Sequence, residues 1–321
     1  MISVVCPFYN EEAILEWAAK LMLKNLSTLG EKWELILVND GSRDGSLQIV
    51  RALEKINPEL RVVSYPANRG RGYAIRAGVK EACGEIVVTT EADCSWGNDI
   101  VHRIVKKFRE APDADIVIAS PHLPGGAYKN VPPKRVFLSK LGNQIIRAGL
   151  TYTVTMNTGM TRGYKRDKFL ALPLDEDEKE MHLEIVSKAL AFHYTIYEIP
   201  AVLEWKAHDL TKGAEKKRKS SANLNKLIRT HLAFSFIAAP FRYIFAFSAF
   251  LLCGSAALLF TAVYHLFTPT PSIYFALIGF FLALFAFLVF TIGILAHQAF
   301  VTQRELWRIR FNLERAEQKN A

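Results

Sequence analysis

One long segment of the chain carries no formal charge. From residue 243 to residue 303 the sequence contains no Lys, Arg, Asp or Glu. A globule of 321 residues has too small a core to bury such a segment, whereas about 20 apolar residues suffice to cross a bilayer. Residues 241–264 and 272–299 are therefore predicted to form two membrane spans, joined by a proline-containing turn.

Positive charge collects beside these spans. The formal net charge is +9, and residues 206–219 hold six Lys or Arg against two acids. Arg304, Arg308 and Arg310 follow the second span. Because Lys and Arg flanking a span favour the cytoplasmic side, the globular part and both termini are predicted to be cytoplasmic. The basic cluster favours an anionic membrane surface, and not nucleic acid, as its partner.

The chain divides into four predicted segments. Residues 1–221 read as a globular domain, and residues 222–240 as an amphipathic helix that lies on the bilayer. Residues 241–300 form the hairpin, and residues 301–321 a cytoplasmic tail. The four cysteines include no C-x-x-C pair, which argues against a zinc site.

The globular part alternates β-type runs with helical stretches. Such alternation predicts an α/β domain with a mostly parallel sheet covered by helices on both faces. Ligands of these sheets bind at the carboxyl ends of the strands. The predicted strands are residues 2–6, 33–39, 61–65, 85–90, 115–119 and 194–200, and the predicted helices include 11–26, 47–55, 134–150 and 178–192. Residues 121–133 are predicted to form a loop and residues 151–164 an extended segment.

Polar segments follow the first two predicted strands. Residues 7–11 read Pro-Phe-Tyr-Asn-Glu, and residues 40–45 read Asp-Gly-Ser-Arg-Asp-Gly. The second segment alone is equally typical of a turn with an Asx cap. Together, at this separation, the two segments resemble the family 2 glycosyltransferases, which have the GT-A (Rossmann-like) fold and bind a nucleotide-sugar donor.

The chemistry of these side chains suits a nucleotide. Tyr9 can place its ring against a base, Glu11 can accept hydrogen bonds from base or ribose, and Asp40 can accept one from a nucleobase N–H. The resemblance implies the following donor-binding set: Pro7, Tyr9, Glu11, Val38, Asp40, Arg71, Ala92, Lys206 and Arg218.

Residues 68–72, Asn-Arg-Gly-Arg-Gly, are predicted to open a helix. Glycines let the backbone approach a ligand, and a helix N-terminus favours an anion. The alternative is an ordinary capped helix with solvated arginines. The resemblance implies that this loop is a wall of the donor site.

Two acids, Glu91 and Asp93, follow the fourth predicted strand. The resembling enzymes carry Asp-x-Asp here and hold a divalent cation, Mg²⁺ or Mn²⁺, against the donor diphosphate. Such cations prefer oxygen ligands. Glu91 departs from the pattern by one methylene group, and Asp93 keeps it. The alternative role for Asp93 is to cap the next helix.

The remaining predicted site residues rest on resemblance to the polyprenol-phosphate branch of the family. Arg162 follows Asn-Thr-Gly-Met-Thr and is implied to lie near the reacting phosphates, and Glu184 near the acceptor or the sugar. Lys206 and Arg218 belong to a basic segment that is implied to close over the substrates.

The resemblance implies inverting transfer of a hexose from a GDP-mannose or UDP-glucose type donor to polyprenyl or dolichyl phosphate at the cytoplasmic membrane face. One alternative is a processive polysaccharide synthase, but the Q-x-x-R-W element typical of that class is missing before the spans. A second alternative is a non-catalytic membrane scaffold that retains a nucleotide pocket. Small residues 254–257 in the first span would also allow homo-oligomers to form through the hairpin.

Overall fold

The computed structural model describes residues 1–149, 154–205, 240–267 and 273–320. The strands are β1 Ile2–Phe8, β2 Trp33–Asp40, β3 Leu60–Tyr65, β4 Ile86–Thr89, β5 Ile116–Ser120, β6 Ala127–Lys129, β7 Arg162–Lys165, β8 Ile196–Pro200 and β9 Val202–Glu204. The helices are α1 Glu12–Leu26, α2 Ser46–Glu54, α3 Arg71–Glu81, α4 Ile100–Glu110, α5 Pro133–Gly149, α6 Arg166–Leu170, α7 Met181–Ala191, α8 Pro240–His265 and α9 Ile273–Asn320.

Seven strands form the main sheet, in the order β3-β2-β1-β4-β7-β5-β8. All neighbours are parallel except β7, which runs antiparallel between β4 and β5. The prediction of a mostly parallel α/β sheet is therefore confirmed. The strand order reverses between β1 and β4, and the crevice at the carboxyl ends of these two strands is the position where open α/β sheets bind ligands.

Helices bury both faces of this sheet. In α1 the buried side chains recur at helical spacing and pack on the sheet: Leu15, Ala18, Ala19, Met22 and Leu26. On α4, Ile104 and Phe108 pack directly over Gly163 of β7, where an added Cβ would lie 2.6 Å from a Phe108 ring carbon. This close packing of α4 on β7 needs a glycine at residue 163.

Two segments differ from the sequence expectation. Within residues 151–164 the described part is irregular until β7 begins at Arg162. Residues 121–133, predicted to be a loop, contain β6, which pairs in parallel with β9 in a separate two-stranded sheet. Strands of three residues carry too little alternation to be recognised from sequence.

The hairpin is formed by α8 and α9. Two side-chain hydrogen bonds join them, from Ser248 Oγ to the carbonyl of Ala286 at 2.8 Å and from Ser255 Oγ to that of Gly279 at 2.7 Å. Tyr243–His265 and Ile273–Trp307 are long and apolar enough to cross a membrane. The second helix continues to Asn320, beyond the predicted end of the span at residue 299. The predicted interfacial helix, 222–240, lies almost wholly outside the described residues.

Candidate active site

The loops after β1 and β2 are joined by hydrogen bonds. The Asn10 side chain accepts from the backbone N–H of Arg43 at 2.8 Å, and the Glu12 carboxylate accepts from that of Gly45 at 3.0 Å. Asn10 adopts a positive φ of 53°, which turns the chain sharply at the strand end. These bonds fix the β1 loop, in which the Tyr9 ring is exposed.

The other predicted donor-binding residues near β1 and β2 are more enclosed. Pro7 and Glu11 are half-buried, Ala92 is buried, and Val38 is fully buried within β2. An added Cβ on Gly78 would lie 2.8 Å from Val38 Cγ2, so Val38 packs on α3. The side chain of Val38 therefore has no open face toward a ligand in the described structure.

The Asp40 carboxylate is held by four donors. Its Oδ1 accepts from the Tyr65 hydroxyl at 2.9 Å and from the Arg69 N–H at 2.8 Å. Its Oδ2 accepts from Asn68 Nδ2 at 2.9 Å and from the Gly70 N–H at 3.1 Å. Because an ionised carboxylate offers about four lone-pair sites, these contacts fill it. The expected contact of Asp40 with a nucleobase N–H stays a prediction.

The N-terminus of α3 is also occupied by protein groups. The N–H groups of Gly72 and Tyr73 donate to the Asp177 carbonyl, at 2.6 and 3.1 Å. Gly70 has a φ of +94°, and a Cβ on Gly72 would lie 2.5 Å from the Glu176 carbonyl oxygen, so both positions require glycine. The glycines of this loop therefore serve packing against residues 176–177, and the side chain of Arg71 is left to face the site.

The two acids after β4 lie beside α3. Glu91 Oε2 accepts from the indole Nε1 of Trp96 at 3.0 Å, and Glu91 Oε1 lies 3.6 Å from Arg71 Nη1. Asp93 is buried, and its Oδ1 accepts from the Ser95 N–H at 3.0 Å. The guanidinium of Arg71 therefore lies beside the two acids that follow β4.

The donor set at this strand end fits a hard divalent cation. Glu91 and Asp93 supply carboxylate oxygens, which Mg²⁺ and Mn²⁺ prefer. Among the described residues no cluster of three or more His, Cys, Asp or Glu could enclose a metal. Two carboxylates match the way Mg²⁺ commonly binds, through one or two carboxylates and the oxygens of a substrate's phosphates.

Arg162 lies in the interior instead of facing a ligand. Its side chain is fully buried in β7, and its guanidinium donates to the carbonyls of Asn157, Met156 and His182. Burial lowers the pKa of Arg162, and the nearby Tyr164 and Glu198 act in the opposite direction. The structure thus differs from the expectation for Arg162, because its side chain is fully enclosed by protein groups.

His182 is a second buried group beside Arg162. Neither of its ring nitrogens has a hydrogen-bond partner in the described part of the chain. Its pKa is lowered well below the ordinary value, first by burial and then by the positive charges of Arg162 and Arg71. The imidazole is therefore neutral at physiological pH, and it lies in the first turn of α7, the helix that also carries Glu184.

Glu184 supports a neighbouring segment. Its carboxylate accepts from the N–H groups of Asp175 and Glu176, both at 3.0 Å, and pairs with Lys188 Nζ at 2.6 Å. The adjacent Asp177 in turn holds α3 through its carbonyl. The Glu184 carboxylate thus holds the segment before α7, and its expected contact with the acceptor or the sugar stays a prediction.

Sequence reasoning missed two residues of this region. Trp96 donates a hydrogen bond to Glu91 and so orients its carboxylate. The one signal for this contact in the sequence is the position of the tryptophan, five residues after the glutamate. Arg135 lies in the first turn of α5, with its guanidinium carbon 4.7 Å from the centroid of the Trp205 ring. Burial lowers its pKa, Glu91 raises it and Arg71 lowers it, so Arg135 lies within electrostatic reach of both groups. Lys206 and Arg218 lie outside the described residues.

Solved structures share this fold. Glucosyl-3-phosphoglycerate synthase of Mycobacterium tuberculosis, in complex with Mn²⁺, UDP and glucosyl-3-phosphoglycerate, matches with a TM-score of 0.53 at 19% identity, over 75% of this chain and 80% of its own. Its complex with Mn²⁺, UDP and phosphoglyceric acid gives a TM-score of 0.54 at 20% identity, over 73% and 78%. The predicted GT-A fold is thereby confirmed.

Sequence relatives include two lipid-phosphate glycosyltransferases. An undecaprenyl-phosphate 4-deoxy-4-formamido-L-arabinose transferase of Shewanella sediminis is 29% identical over 60% of this chain. A dolichyl-phosphate beta-glucosyltransferase of Trichomonas vaginalis is 32% identical over 42%. These matches span only 56% and 43% of the relatives' own lengths. The sequence profile described as "Glycosyl transferase family 2" matches residues 3–172, more than half of the chain. The resemblance seen in the motifs is thus confirmed, and the chain belongs to glycosyl transferase family 2.

Proposed function

We propose that this enzyme transfers a hexose from a nucleotide sugar to a polyprenyl or dolichyl phosphate, with inversion at the anomeric carbon. The observation that carries the proposal is the placement of Tyr9 after β1 and of Glu91 and Asp93 after the neighbouring strand β4, with Arg71 at 3.6 Å from Glu91. The names of the two lipid-phosphate relatives and the hairpin of apolar helices support a lipid acceptor.

The nucleotide is proposed to lie along the β1 loop. The exposed Tyr9 ring provides an apolar face for the base, and Glu11 provides a carboxylate for base or ribose. Arg71 is proposed to face the diphosphate, with Lys206 and Arg218 from the basic segment as further cations. Arginine suits this position because its fork of donors stays charged and matches phosphate oxygens.

Glu91 and Asp93 are proposed to hold Mg²⁺ or Mn²⁺. A cation bound there would act as a Lewis acid and stabilise the charge of the departing nucleoside diphosphate. The surrounding protein groups orient the ligands, since Trp96 and Arg71 hold the Glu91 carboxylate from its two oxygens and the Ser95 N–H holds Asp93. The two carboxylates are therefore oriented before substrate arrives.

The acceptor needs little activation by the protein. A phosphate monoester loses its second proton with a pKa of about 6, so it is mostly a dianion at neutral pH and already nucleophilic. One phosphate oxygen attacks the anomeric carbon while the bond to the nucleoside diphosphate breaks on the opposite face.

The arrangement proposed for the membrane places α8 and α9 in the bilayer and the catalytic domain in the cytoplasm.

A transfer assay tests this proposal. The full chain is purified in detergent and supplied with undecaprenyl or dolichyl phosphate, a panel of labelled UDP- and GDP-sugars, and Mg²⁺, Mn²⁺ or chelator. A labelled glycolipid that forms only with metal and lipid phosphate is the expected result. Binding of nucleotide without any lipid product in all combinations would overturn the proposed acceptor and favour a scaffold.

A further inference from the structure

The indole ring of Trp205 lies against the guanidinium of Arg135. The guanidinium carbon is 4.7 Å from the centroid of the ring, and Arg135 stands in the first turn of α5. We infer that Trp205 is a positioning residue, which holds Arg135 so that its N–H donors face a phosphate group of the substrates. The inference rests on the proposed function, because that proposal brings a nucleotide sugar and a lipid phosphate to this site.

The first argument is the state of the Arg135 side chain. It keeps solvent-exposed surface, and in the described part of the chain its guanidinium forms no hydrogen bond and no ion pair. The contact with Trp205 uses the positive charge of the guanidinium and does not consume its N–H groups. The fork of five donors in an arginine matches the oxygens of a phosphate. Arg135 is therefore held by a ring while its donors are available to an anion.

The second argument is the place of Arg135 beside the two acids that follow β4. Burial lowers the pKa of Arg135, and the next causes are the charge of Glu91, which raises it, and the charge of Arg71, which lowers it. Because salt screens charges beyond about 10 Å, all three groups share one region. Two arginines beside the proposed metal ligands provide positive charge for a phosphate that approaches there.

The third argument is that the backbone at Trp205 is fixed on two sides. The N–H of Trp205 donates to the Lys129 carbonyl in β6 at 3.1 Å. The N–H of the preceding residue, Glu204, donates to the Ser95 carbonyl at 2.8 Å. The Ser95 N–H in turn donates to the Asp93 carboxylate. Trp205 is thus tied to β6, which leads into α5, and to the turn that carries Asp93.

These bonds give the ring a defined position relative to the proposed metal site. β9 pairs in parallel with β6, and Lys129 lies opposite Glu204 in the register. A free arginine side chain samples many rotamers, and it loses that freedom when it binds a ligand. An arginine that is already ordered loses less of it, so it binds a phosphate more tightly. This preorganisation is what Trp205 supplies.

The test is a double-mutant cycle on the full chain in detergent. Trp205→Leu keeps an apolar side chain but removes the aromatic face, Trp205→Phe keeps a smaller face, and Arg135→Gln removes the charge. Tyr197→Leu is the matched control, because the Tyr197 ring lies 4.5 Å from Lys107 Nζ on the edge strand β8. Each variant is measured well below its own melting temperature. The measured quantities are kcat, the KM for lipid phosphate, and the Kd of UDP and of GDP with Mn²⁺.

Positioning predicts losses that are not additive. Arg135→Gln should lower kcat/KM about 100-fold, as when one donor to a developing charge is removed. Trp205→Leu should lower it about 10-fold, as for a misplaced group, and Trp205→Phe should recover most of this loss. The double variant Trp205→Leu with Arg135→Gln should be no worse than Arg135→Gln alone, because the ring acts through the guanidinium. Tyr197→Leu should keep wild-type kinetics.

The same variants identify which phosphate Arg135 faces. Weaker binding of UDP and GDP in both Trp205→Leu and Arg135→Gln would identify the donor diphosphate. A raised KM for lipid phosphate in both variants, with unchanged nucleotide binding, would identify the acceptor. Either pattern supports the inference, since the two variants then share one defect.

Two results would overturn the inference. Wild-type kinetics in Trp205→Leu, even with a lowered melting temperature, would make the ring merely structural. A double variant whose loss is the product of the two single losses would show that Trp205 and Arg135 act separately. The proposed function is judged by glycolipid formation in the wild-type chain. If none forms, a shared loss of UDP and GDP affinity in the two single variants still supports the inference, and unchanged affinity overturns it.

Discussion

The indole nitrogen of Trp96 donates a hydrogen bond to Glu91 Oε2 at 3.0 Å. This contact leaves Glu91 Oε1 on the side of Arg71 and fixes the direction of a glutamate that stands where the family resemblance implies an aspartate. The longer side chain of glutamate is thereby held by a neighbour. The contact gives a physical reason why the substitution is compatible with a metal site.

Trp96→Phe should therefore weaken the use of metal. The phenyl ring keeps most of the buried apolar surface of Trp96, which is 4% exposed, but it cannot donate to Glu91. We expect kcat/KM to fall about 10-fold and the Mg²⁺ or Mn²⁺ concentration at half-maximal activity to rise, as when a partner of a metal ligand is removed. Trp17→Phe, on the exposed side of α1, is the control. An unchanged metal dependence would show that Trp96 does not orient Glu91 for metal binding.

Asp93→Asn should abolish turnover while the fold survives. The amide oxygen can still accept from the Ser95 N–H, so the turn after β4 is kept, but the negative charge toward a cation is lost. We expect a loss of at least about 100-fold in kcat, equivalent to about 3 kcal/mol of lost transition-state stabilisation. Asp99→Asn is the control, since Asp99 is an exposed residue just before α4. Near-normal transfer by Asp93→Asn at saturating metal would remove Asp93 from the metal site.

The positions of the acidic residues at the strand ends could be predicted from sequence, because the end of a strand is a local feature of the chain. Buried runs followed by Asp40, by Glu91 and by Asp93 predicted a parallel sheet with its acids at one edge, as found. The partners of those acids were not readable. Arg69 and Gly70 reach Asp40 through backbone N–H groups, and Asp177 reaches α3 from more than a hundred residues away. Sequence spacing carries no signal for backbone donors brought together by tertiary packing.

The burial of Arg162 could not be predicted from the sequence either, for a different reason. An arginine in a glycine-rich stretch looks like a phosphate ligand, and nothing in its type distinguishes a solvated from a buried guanidinium. The antiparallel insertion of β7 between β4 and β5 decides the outcome, because it places Arg162 opposite Thr89 in the middle of the sheet. Strand orientation is a property of the whole sheet, so a four-residue segment could not reveal it.

Burial of His182 predicts a loss of stability in mild acid. The pKa of this imidazole is lowered in the folded state, first by burial, and returns to about 6.5 in the unfolded chain. Below that pH the unfolded state binds a proton that the folded state refuses, so the free energy of unfolding falls by up to about 1.4 kcal/mol per pH unit. The melting temperature of the wild-type chain should therefore be lower at pH 5.5 than at pH 7.5. The melting temperature of His182→Leu should fall less over the same range.

The control for this pH effect is His193, which is exposed and has a positive φ of 58°. Asparagine tolerates this conformation, so His193→Asn should keep the wild-type pH dependence of melting. Equal acid sensitivity in His182→Leu and wild type would show that other groups cause the loss. Activity is not needed for this measurement, which keeps it independent of the proposed substrates.

Within the hairpin, two glycines offer a matched pair. A Cβ on Gly279 would lie 3.0 Å from Leu259 Cγ and 3.2 Å from the Leu259 backbone nitrogen, whereas a Cβ on Gly254 would meet only Leu282 Cδ2 at an ordinary 3.5 Å. A side chain can rotate away, but a helix backbone cannot yield without separating α8 from α9. Gly279→Ala should therefore destabilise the hairpin by about 1–2 kcal/mol relative to Gly254→Ala, because the added methyl group overpacks the contact between the two helices. The Ser255 hydroxyl donates a hydrogen bond to the Gly279 carbonyl at this contact. Thermal melting of the two variants in one detergent measures the difference, and equal melting temperatures would mean that α8 and α9 do not pack closely at Gly279.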